Sequence, residues 1–246
     1  MKPSFVLAWE ESLFVSPPSV PTIWAWEAAQ QAVAIGVSQS AEQEVHTEYC
    51  KERNIPIIRR ASGGGAVCLG SGIVSIGMIA PVHIASDIRS GFQLISNIVF
   101  HACQKFGVSV QWCGICDIAA MPSLKKMVGM AQIRKKQSVL THATWLIDYP
   151  IHNIKLMLKH PSEEPEYRQG RTHDMFCTTL SDAIGRSVCV DDVIQQIRES
   201  ASALDFDWIT LPNCESEAIS ELLKTRYEYD GWNLRKERIT SIKQQK

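Results

Sequence analysis

Short runs of apolar residues, separated by polar turns, dominate the first 150 residues of the chain. Residues 22–36 predict two strands around a polar turn, and residues 66–81 predict a strand, a Gly-rich turn and a second strand. Further strands are predicted at 55–58, 108–112, 115–120 and 138–147, the last of which alternates with a period near two.

Helices interrupt these strands and follow them. The clearest helix is predicted over residues 86–106, with Asp87 in the first turn, where a carboxylate suits the positive end of the helix dipole. One face of this helix is predicted to be buried, because its apolar residues recur at spacings of three and four: Phe92, Ile95, Val99, Ala102 and Phe106.

The remaining elements are weaker in the sequence. Helices are predicted at 41–53, 151–160, 191–204 and 215–227, with Asn213 as the candidate N-cap of the last. Residues 161–173 are polar and contain prolines, which predicts a loop. Strands that are both interrupted and followed by helices predict an α+β fold of mixed connections.

Composition and charge exclude several classes of protein. The 246 residues carry a net charge of -1, which is not typical of a protein that binds nucleic acid or an anionic membrane surface. No apolar run approaches the roughly 18–20 residues of a membrane span, and the acidic residues near the N-terminus argue against a secretory signal. Eight scattered cysteines indicate a reducing compartment, which we take to be the cytoplasm.

The basic C-terminal end, residues 234–246, carries five basic residues and one acidic residue. It is interpreted as a solvated end, with a docking surface for an acidic acceptor protein as the alternative.

The most informative segment is Arg59–Val67, where three consecutive glycines follow an apolar strand. Glycines cost backbone entropy and contribute no side chain, but they let backbone N–H groups approach a ligand closely. Such groups hold phosphate or carboxylate oxygens, and the two adjacent arginines are predicted to bind the same anion. The alternative is a flexible hairpin turn with a solvated arginine pair.

Two further segments carry candidate chemistry. Lys126 precedes small and apolar residues, so it is a candidate to neutralise an acyl phosphate or polarise a carbonyl, although a lysine pair is more often solvated. His142 lies in an otherwise apolar strand, where a structural histidine is the common alternative.

Cys113 and Cys116 have the spacing of a CxxC pair. The sequence contains no second ligand pair for zinc, so no metal site is predicted. Coincidence is the main interpretation of this spacing, and a nucleophilic thiolate is the alternative.

Taken together, these segments resemble the lipoate–protein ligase family, within the wider group of biotin and lipoate protein ligases and octanoyltransferases. Residues 24–67 are similar to the family's opening run, which ends in Arg-Arg-x-Ser-Gly-Gly-Gly-Ala-Val. Residues 116–150 resemble the segment that carries Asp-Ile, Lys-x-x-Gly-x-Ala-Gln and His-Gly-Thr. Residues 167–173 and 222–233 also resemble family segments.

The resemblance implies mixed β-sheets flanked by helices, as in the catalytic domain of biotin and lipoate protein ligases. It implies one catalytic domain over residues 1–246, without a separate C-terminal accessory domain. It also implies a two-step reaction, in which lipoate and ATP give lipoyl-AMP and a lysine of an acceptor protein then takes the lipoyl group. Mg²⁺ is inferred from the ATP chemistry.

The acceptors that the family implies are lipoyl domains of 2-oxoacid dehydrogenases and the glycine-cleavage carrier protein. Some members act with a separate accessory protein, so a partner subunit is also considered.

The resemblance assigns site residues to this chain. Lys126 would contact both the acyl carbonyl and the phosphate, as the catalytic cation, and His142 and Thr144 would line the pocket near the acyl group. The substrate and the adenylate would be held by the Gly-rich segment: Arg60, Ser62, Gly63, Gly64, Gly65, Ala66, Val67 and Cys68.

Three residues depart from the family pattern: Ala143 replaces the glycine of His-Gly-Thr, and Ser75 and Cys116 replace asparagines. Two alternative functions therefore stay open. One is an octanoyltransferase that acts through an acyl-cysteine thioester, with Cys116 or Cys113 as the nucleophile. The other is a non-catalytic homologue that binds an acyl ligand or an acceptor.

Overall fold

A computed structural model describes residues 1–239 of the chain. Its strands form two sheets, and the predicted α+β fold with mixed sheets is confirmed. The strands of the described residues are β1 (Thr22–Glu27), β2 (Ala32–Ile35), β3 (Ile57–Arg59), β4 (Val67–Leu69), β5 (Ile73–Pro81), β6 (Val110–Cys113), β7 (Asp117–Ala120), β8 (Lys125–Arg134), β9 (Ser138–Leu146) and β10 (Asp207–Trp208).

The large sheet has the order β10-β1-β5-β9-β8-β7-β6 and is antiparallel except for the β10–β1 pair. The small sheet has the order β3-β2-β4, in which β2 is parallel to β3 and antiparallel to β4. The Gly-rich loop, residues 60–66, connects the two edge strands of this small sheet. It therefore runs past the end of β2 and faces β8 of the large sheet.

The helices pack on both sheets. They are α1 (Pro3–Ser12), α2 (Ala41–Glu44), α3 (Thr47–Glu52), α4 (Ile88–Lys105), α5 (Ile154–Met157), α6 (His173–Phe176), α7 (Leu180–Ile184), α8 (Val190–Ala203), α9 (Glu217–Leu222) and α10 (Asp230–Arg235). One 3-10 turn, Ile151–Asn153, precedes α5, a second, Glu166–Arg168, lies in the predicted loop, and a π-helical turn, Leu223–Tyr227, continues α9.

α4 confirms the clearest helix prediction. Phe92, Ile95, Val99 and Ala102 are buried against the large sheet, and Phe106 is partly buried beside them. Asp87 is the N-cap of this helix rather than a residue of its first turn. Its carboxylate accepts from the backbone N–H of Ser90, so it satisfies one of the donors that a helix leaves free at its N-terminus.

The predicted helix over 41–53 is wrong as a single element. It is two short helices, α2 and α3, because Val45 leaves the helical conformation to form a bridge with Leu158. The same bridge ends α5 early, so the helix predicted over 151–160 is a 3-10 turn followed by one turn of α-helix. The N-cap before α9 is Ser216 and not Asn213, since the Ser216 hydroxyl accepts from the N–H of Ile219.

Two elements that shape the site have no counterpart among the predicted elements. α1 begins with Pro3, which suits the first turn of a helix, and its residues Val6, Leu7 and Trp9 are buried. β8 carries Lys126 and pairs with β7 and β9, although a register shift lies between Ile118 and Ala119 of β7.

The basic end of the chain is described only as far as residue 239, so most of that interpretation lies outside the described residues. Among the helices of residues 1–239, each is too short or too polar to cross a lipid bilayer.

Candidate active site

The Gly-rich loop is held from the inside by Arg60. This side chain is 5% exposed, and its guanidinium donates to the carbonyls of Ala34, Gly63 and Gly65 at 3.2, 2.5 and 2.8 Å. Its Nε donates to the Ser62 hydroxyl at 3.0 Å. Burial lowers the pKa of Arg60 to about 10, so the group remains a cation at neutral pH.

Gly64 has a φ of +82°, which side-chain-bearing residues rarely adopt. A Cβ there would lie 3.1 Å from Arg60 Nη2 and 3.3 Å from the Ala131 side chain, whereas a Cβ at Gly63 or Gly65 would meet nothing within 4 Å. The backbone at Gly63 and Gly65 therefore faces open space, where a ligand can approach.

Arg59 does not face this space, in contrast to the prediction that both arginines bind one anion. It is 1% exposed, and its guanidinium donates to the carbonyls of Gly36, Gln39 and Trp232, among others. Because its donors are used by backbone carbonyls, Arg59 is a structural residue.

Lys126 lies opposite the loop, on β8. Its Nζ is 2.7 Å from Oδ1 of Asp117, the first residue of β7, and Asp117 Oδ2 accepts from the Tyr167 hydroxyl at 2.8 Å. Burial by itself lowers the pKa of Lys126, but the adjacent Asp117 carboxylate outweighs burial and raises it above its ordinary value. Lys126 is therefore a fixed cation at neutral pH, with 28% of its side chain exposed.

Gly129 makes room for this lysine. A Cβ at Gly129 would lie 2.7 Å from both Cε and Nζ of Lys126, so any larger residue would push the ammonium group away. Gly129 pairs with Asp117 on one side and with Thr144 on the other, which brings these residues together across three neighbouring strands.

Two connected cavities meet at Lys126. The narrow pocket, about 100 Å³, extends beneath the loop toward α1 and has apolar walls that include Leu7, Trp26, Val67, Ile76 and Met130. The wide cleft, about 730 Å³, lies between the loop, β8 and the segment 158–177. Residues of both cavities are Gly65, Ala66, Val67, Cys116, Lys126, Gly129, Met130, Ala131 and Thr144.

His142 lines the narrow pocket beside a buried carboxylate. Its Nδ1 lies 3.0 Å from Oε2 of Glu10, and the other oxygen of Glu10 accepts from Trp24 Nε1 at 2.8 Å. Nε2 of His142 and Oε2 of Glu10 are both buried without a hydrogen-bond partner among the described residues. The two departures Ser75 and Ala143 line the same pocket, next to Thr144.

Three cysteines line the wide cleft: Cys68, Cys116 and Cys177. Burial raises the pKa of all three thiols. At Cys116 the Asp117 carboxylate raises it further, although Lys126 and Arg60 act in the opposite direction. The backbone of Cys177 forms an isolated parallel bridge with that of Lys126.

The structure brings most of the predicted site residues together. Arg60, Lys126, His142 and Thr144 line the cavities, as do residues 63–68 of the loop and β4. Ser62 is fully buried within the loop, and Cys113, also buried, lies at the end of β6; neither lines the narrow pocket or the wide cleft.

Four further site residues were not identified from the sequence: Glu10, Asp117, Tyr167 and Arg168. The sequence did point to Asp117, because Asp-Ile is part of the family motif that precedes Lys126. Glu10 had none, since it comes from a helix that was not predicted. Tyr167 and Arg168 lie in the predicted loop, whose path over the cleft is set only in the folded chain.

An apolar pocket that opens onto a wide cleft beside a fixed lysine can hold an acyl chain next to a charged group. The family model of the lipoyl protein ligase A/B catalytic domain matches residues 2–202. The chain therefore belongs to this family, and it is an enzyme of the lipoate ligase and octanoyltransferase group.

Among its relatives are octanoyltransferase LipM of Brevibacillus brevis, 26% identical with 89% of this chain and 88% of the relative covered, and lipoate-protein ligase A subunit 1 of Thermoplasma acidophilum, 26% identical with 83% and 81% covered.

Solved structures show the same fold. The bipartite lipoate protein ligase of Thermoplasma acidophilum superposes with a TM-score of 0.81 at 23% identity, over 97% of this chain and 94% of that one. A lipoate-protein ligase A bound with ATP has a TM-score of 0.78 at 24% identity, over 94% of this chain and 93% of that one.

Proposed function

We propose that this enzyme activates lipoate with ATP and transfers the lipoyl group to a lysine of an acceptor protein. The observation that carries the proposal is the position of Lys126, a fixed cation at the junction of an apolar pocket and a wide cleft. An acyl tail in the pocket and a nucleotide in the cleft would meet at this ammonium group.

The narrow pocket suits the aliphatic tail. Its walls are mostly apolar, and each methylene buried there contributes about 0.8 kcal/mol. The carboxylate end of the acid would then lie beside the Gly-rich loop and Lys126. His142, whose Nε2 lacks a partner among the described residues, would supply a polar group to a pocket whose walls are mostly apolar.

The wide cleft suits the nucleotide. Arg168 lines it, and Nη2 of this buried arginine has no hydrogen-bond partner among the described residues, so a phosphate oxygen that reached it would supply one. No group of three or more histidine, cysteine or acidic side chains within residues 1–239 is arranged to hold a metal ion. We therefore assign Mg²⁺ to the phosphates of ATP, with which it would enter.

The chemistry follows in two steps. A carboxylate oxygen of lipoate attacks the α-phosphorus of ATP, and pyrophosphate leaves. The neutral amine of the acceptor lysine then attacks the carbonyl carbon, and AMP leaves with the bonding electrons while the amine loses its proton. In both steps Lys126 stabilises negative charge that develops on oxygen, as a preorganised cation does in a site that excludes water.

The acceptors we propose are lipoyl domains of 2-oxoacid dehydrogenases and the glycine-cleavage carrier protein. One structural neighbour is a bipartite lipoate protein ligase from Thermoplasma acidophilum, reported together with its E2 lipoyl domain. That neighbour supports both an acceptor of this kind and an accessory subunit. We treat residues 1–246 as one catalytic domain. We also propose a cytoplasmic location, because the eight cysteines are scattered along the sequence rather than grouped as a disulfide framework.

The first experiment is to mix the chain with lipoate and Mg·ATP, without acceptor, and to detect lipoyl-AMP and pyrophosphate by mass spectrometry. We expect both products in equal amounts. If they do not form in the presence of an accessory subunit either, the ATP-dependent mechanism is excluded.

A thioester-forming octanoyltransferase is the second candidate, and one observation favours it: Cys116 and Cys177 both line the cleft next to Lys126. Their raised pKa values leave little thiolate at neutral pH, which is why we rank this function second. Incubation with octanoyl carrier protein, followed by mass spectrometry of Cys116→Ser and Cys177→Ser, tests it. An octanoyl group that one substitution removes would support this candidate, and an unmodified chain would exclude it.

A further inference from the structure

Helix α10 returns to the base of the Gly-rich loop, and its residues line neither the narrow pocket nor the wide cleft. Its residues Trp232 and Asn233, which we call the C-terminal clamp, are 1% and 4% exposed. They contact Arg59, the last residue of β3, which directly precedes the loop. The proposed mechanism does not use this contact.

The clamp supplies hydrogen-bond partners that β3 lacks. β3 is an edge strand of the small sheet, so one side of its backbone has no neighbouring strand. At Arg59 the backbone N–H donates to Asn233 Oδ1 at 2.9 Å, and the carbonyl accepts from Trp232 Nε1 at 3.0 Å. Two side chains thus take the place of a strand and satisfy buried backbone groups.

The Arg59 side chain extends this contact to the turn that follows β2. Its Nε donates to the carbonyl of Trp232 at 2.9 Å, and its Nη1 donates to the carbonyls of Gly36 and Gln39 at 3.2 and 2.5 Å. The guanidinium therefore connects α10 to the turn of residues 36–39, which follows β2.

That turn supports the Gly-rich loop directly. A Cβ at Gly36 would lie 2.1 Å from the Gly64 carbonyl oxygen, so the two backbones are in close contact. The N–H of Val37 donates to the carbonyl of Ser62 at 2.9 Å. A displacement of Arg59 is therefore transmitted through the turn to the loop backbone.

We propose that Trp232 and Asn233 are positioning residues that hold the Gly-rich loop in its ligand-binding conformation. A loop of consecutive glycines has high conformational entropy, and ordering it at the moment of binding would weaken affinity. The clamp orders the loop in advance. The functional part of this inference rests on the proposed binding of lipoate, whereas the ordering of the loop does not.

The test compares Asn233→Leu and Trp232→Phe with Tyr227→Phe. The first two each remove a side-chain hydrogen-bond partner of the Arg59 backbone, with a larger side chain at 233 and a smaller aromatic one at 232. Tyr227→Phe removes a buried hydrogen bond to Glu11 in the same C-terminal segment and leaves Arg59 untouched, so it controls for a general loss of stability.

Hydrogen exchange of residues 60–66 in the ligand-free protein is the first readout. We expect exchange to be at least about tenfold faster in the two clamp variants than in Tyr227→Phe, after correction for the change in Tm. Equal exchange in all three variants would overturn the proposal. This result is independent of whether the chain uses lipoate.

The affinity for lipoate, measured by calorimetry, is the second readout. We expect roughly a tenfold loss in the clamp variants, without a change in KM for the acceptor protein. If the wild type binds no lipoate while exchange still responds to the clamp, the proposed function fails and the positioning role stands. An equal loss of affinity in Tyr227→Phe would overturn the positioning role.

Discussion

The two walls of the cleft hold positive charge in different ways. Behind the loop wall, the buried Arg59 and Arg60 donate to backbone carbonyls, so their charge orders the protein itself. On the opposite wall, Lys126 has one carboxylate partner among the described residues and a partly exposed side chain, and Arg168 has a donor without a partner there. A pair of arginines next to a glycine run is therefore weak evidence for an anion site, because backbone carbonyls compete for the same donors.

The largest loss of activity is expected from a substitution of Lys126, whose charge is directed at the ligand. Lys126→Ala should lower kcat by roughly a hundredfold to a thousandfold, as the loss of one preorganised group does. Lys125→Ala is the matched control, because adjacent residues of a strand point to opposite faces and Lys125 lines neither cavity. Turnover of lipoate in the presence of Mg·ATP and acceptor is the measurement, and near-normal turnover in Lys126→Ala would remove this residue from the mechanism.

A smaller effect, confined to binding, is expected at the loop wall. Gly64→Val forces a branched residue into a left-handed conformation, which costs roughly 1–2 kcal/mol, and brings it against Arg60 and Ala131. Affinity for lipoate, measured by calorimetry, should fall by about tenfold or more. Gly185→Val is the matched control, because Gly185 is also left-handed (φ +72°), has nothing within 4 Å of an added Cβ and lines neither cavity, so lipoate affinity should stay normal. An unchanged affinity in Gly64→Val would mean that the loop is only structural.

The smallest effect concerns pH. Asp117→Asn removes the carboxylate that raises the pKa of Lys126, and burial alone then lowers it. The alkaline limb of kcat should therefore move to lower pH, which a pH–rate profile detects. Asp174→Asn, which removes the exposed partner of Lys155, is the control and should leave the profile in place.

The Lys126–Asp117 ion pair also determines how the free energy of unfolding changes with pH. The pKa of Lys126 in the folded protein lies above that of an unfolded lysine, about 10.4. The pair therefore contributes its full stability below that pH and loses it as the pH rises through the folded pKa. A pH profile of Asp117→Asn that matches the wild type would contradict the role of Asp117.

By itself, the sequence determined the α+β class, the amphipathic helix α4 and the composition of the Gly-rich loop. These features depend on local periodicity and on backbone freedom, which are properties of neighbouring residues. The motif around Lys126 was also local, so the lysine was identified although its strand was not.

Only the tertiary structure decided which charges remain for a ligand. Asp117 reaches Lys126 because β7 and β8 pair, Glu10 reaches His142 because α1 packs on the large sheet, and Arg59 is occupied by a helix that begins 171 residues later, at Asp230. Such contacts depend on how distant segments pack, and the hydrophobic pattern constrains that packing without specifying the partner of each polar group.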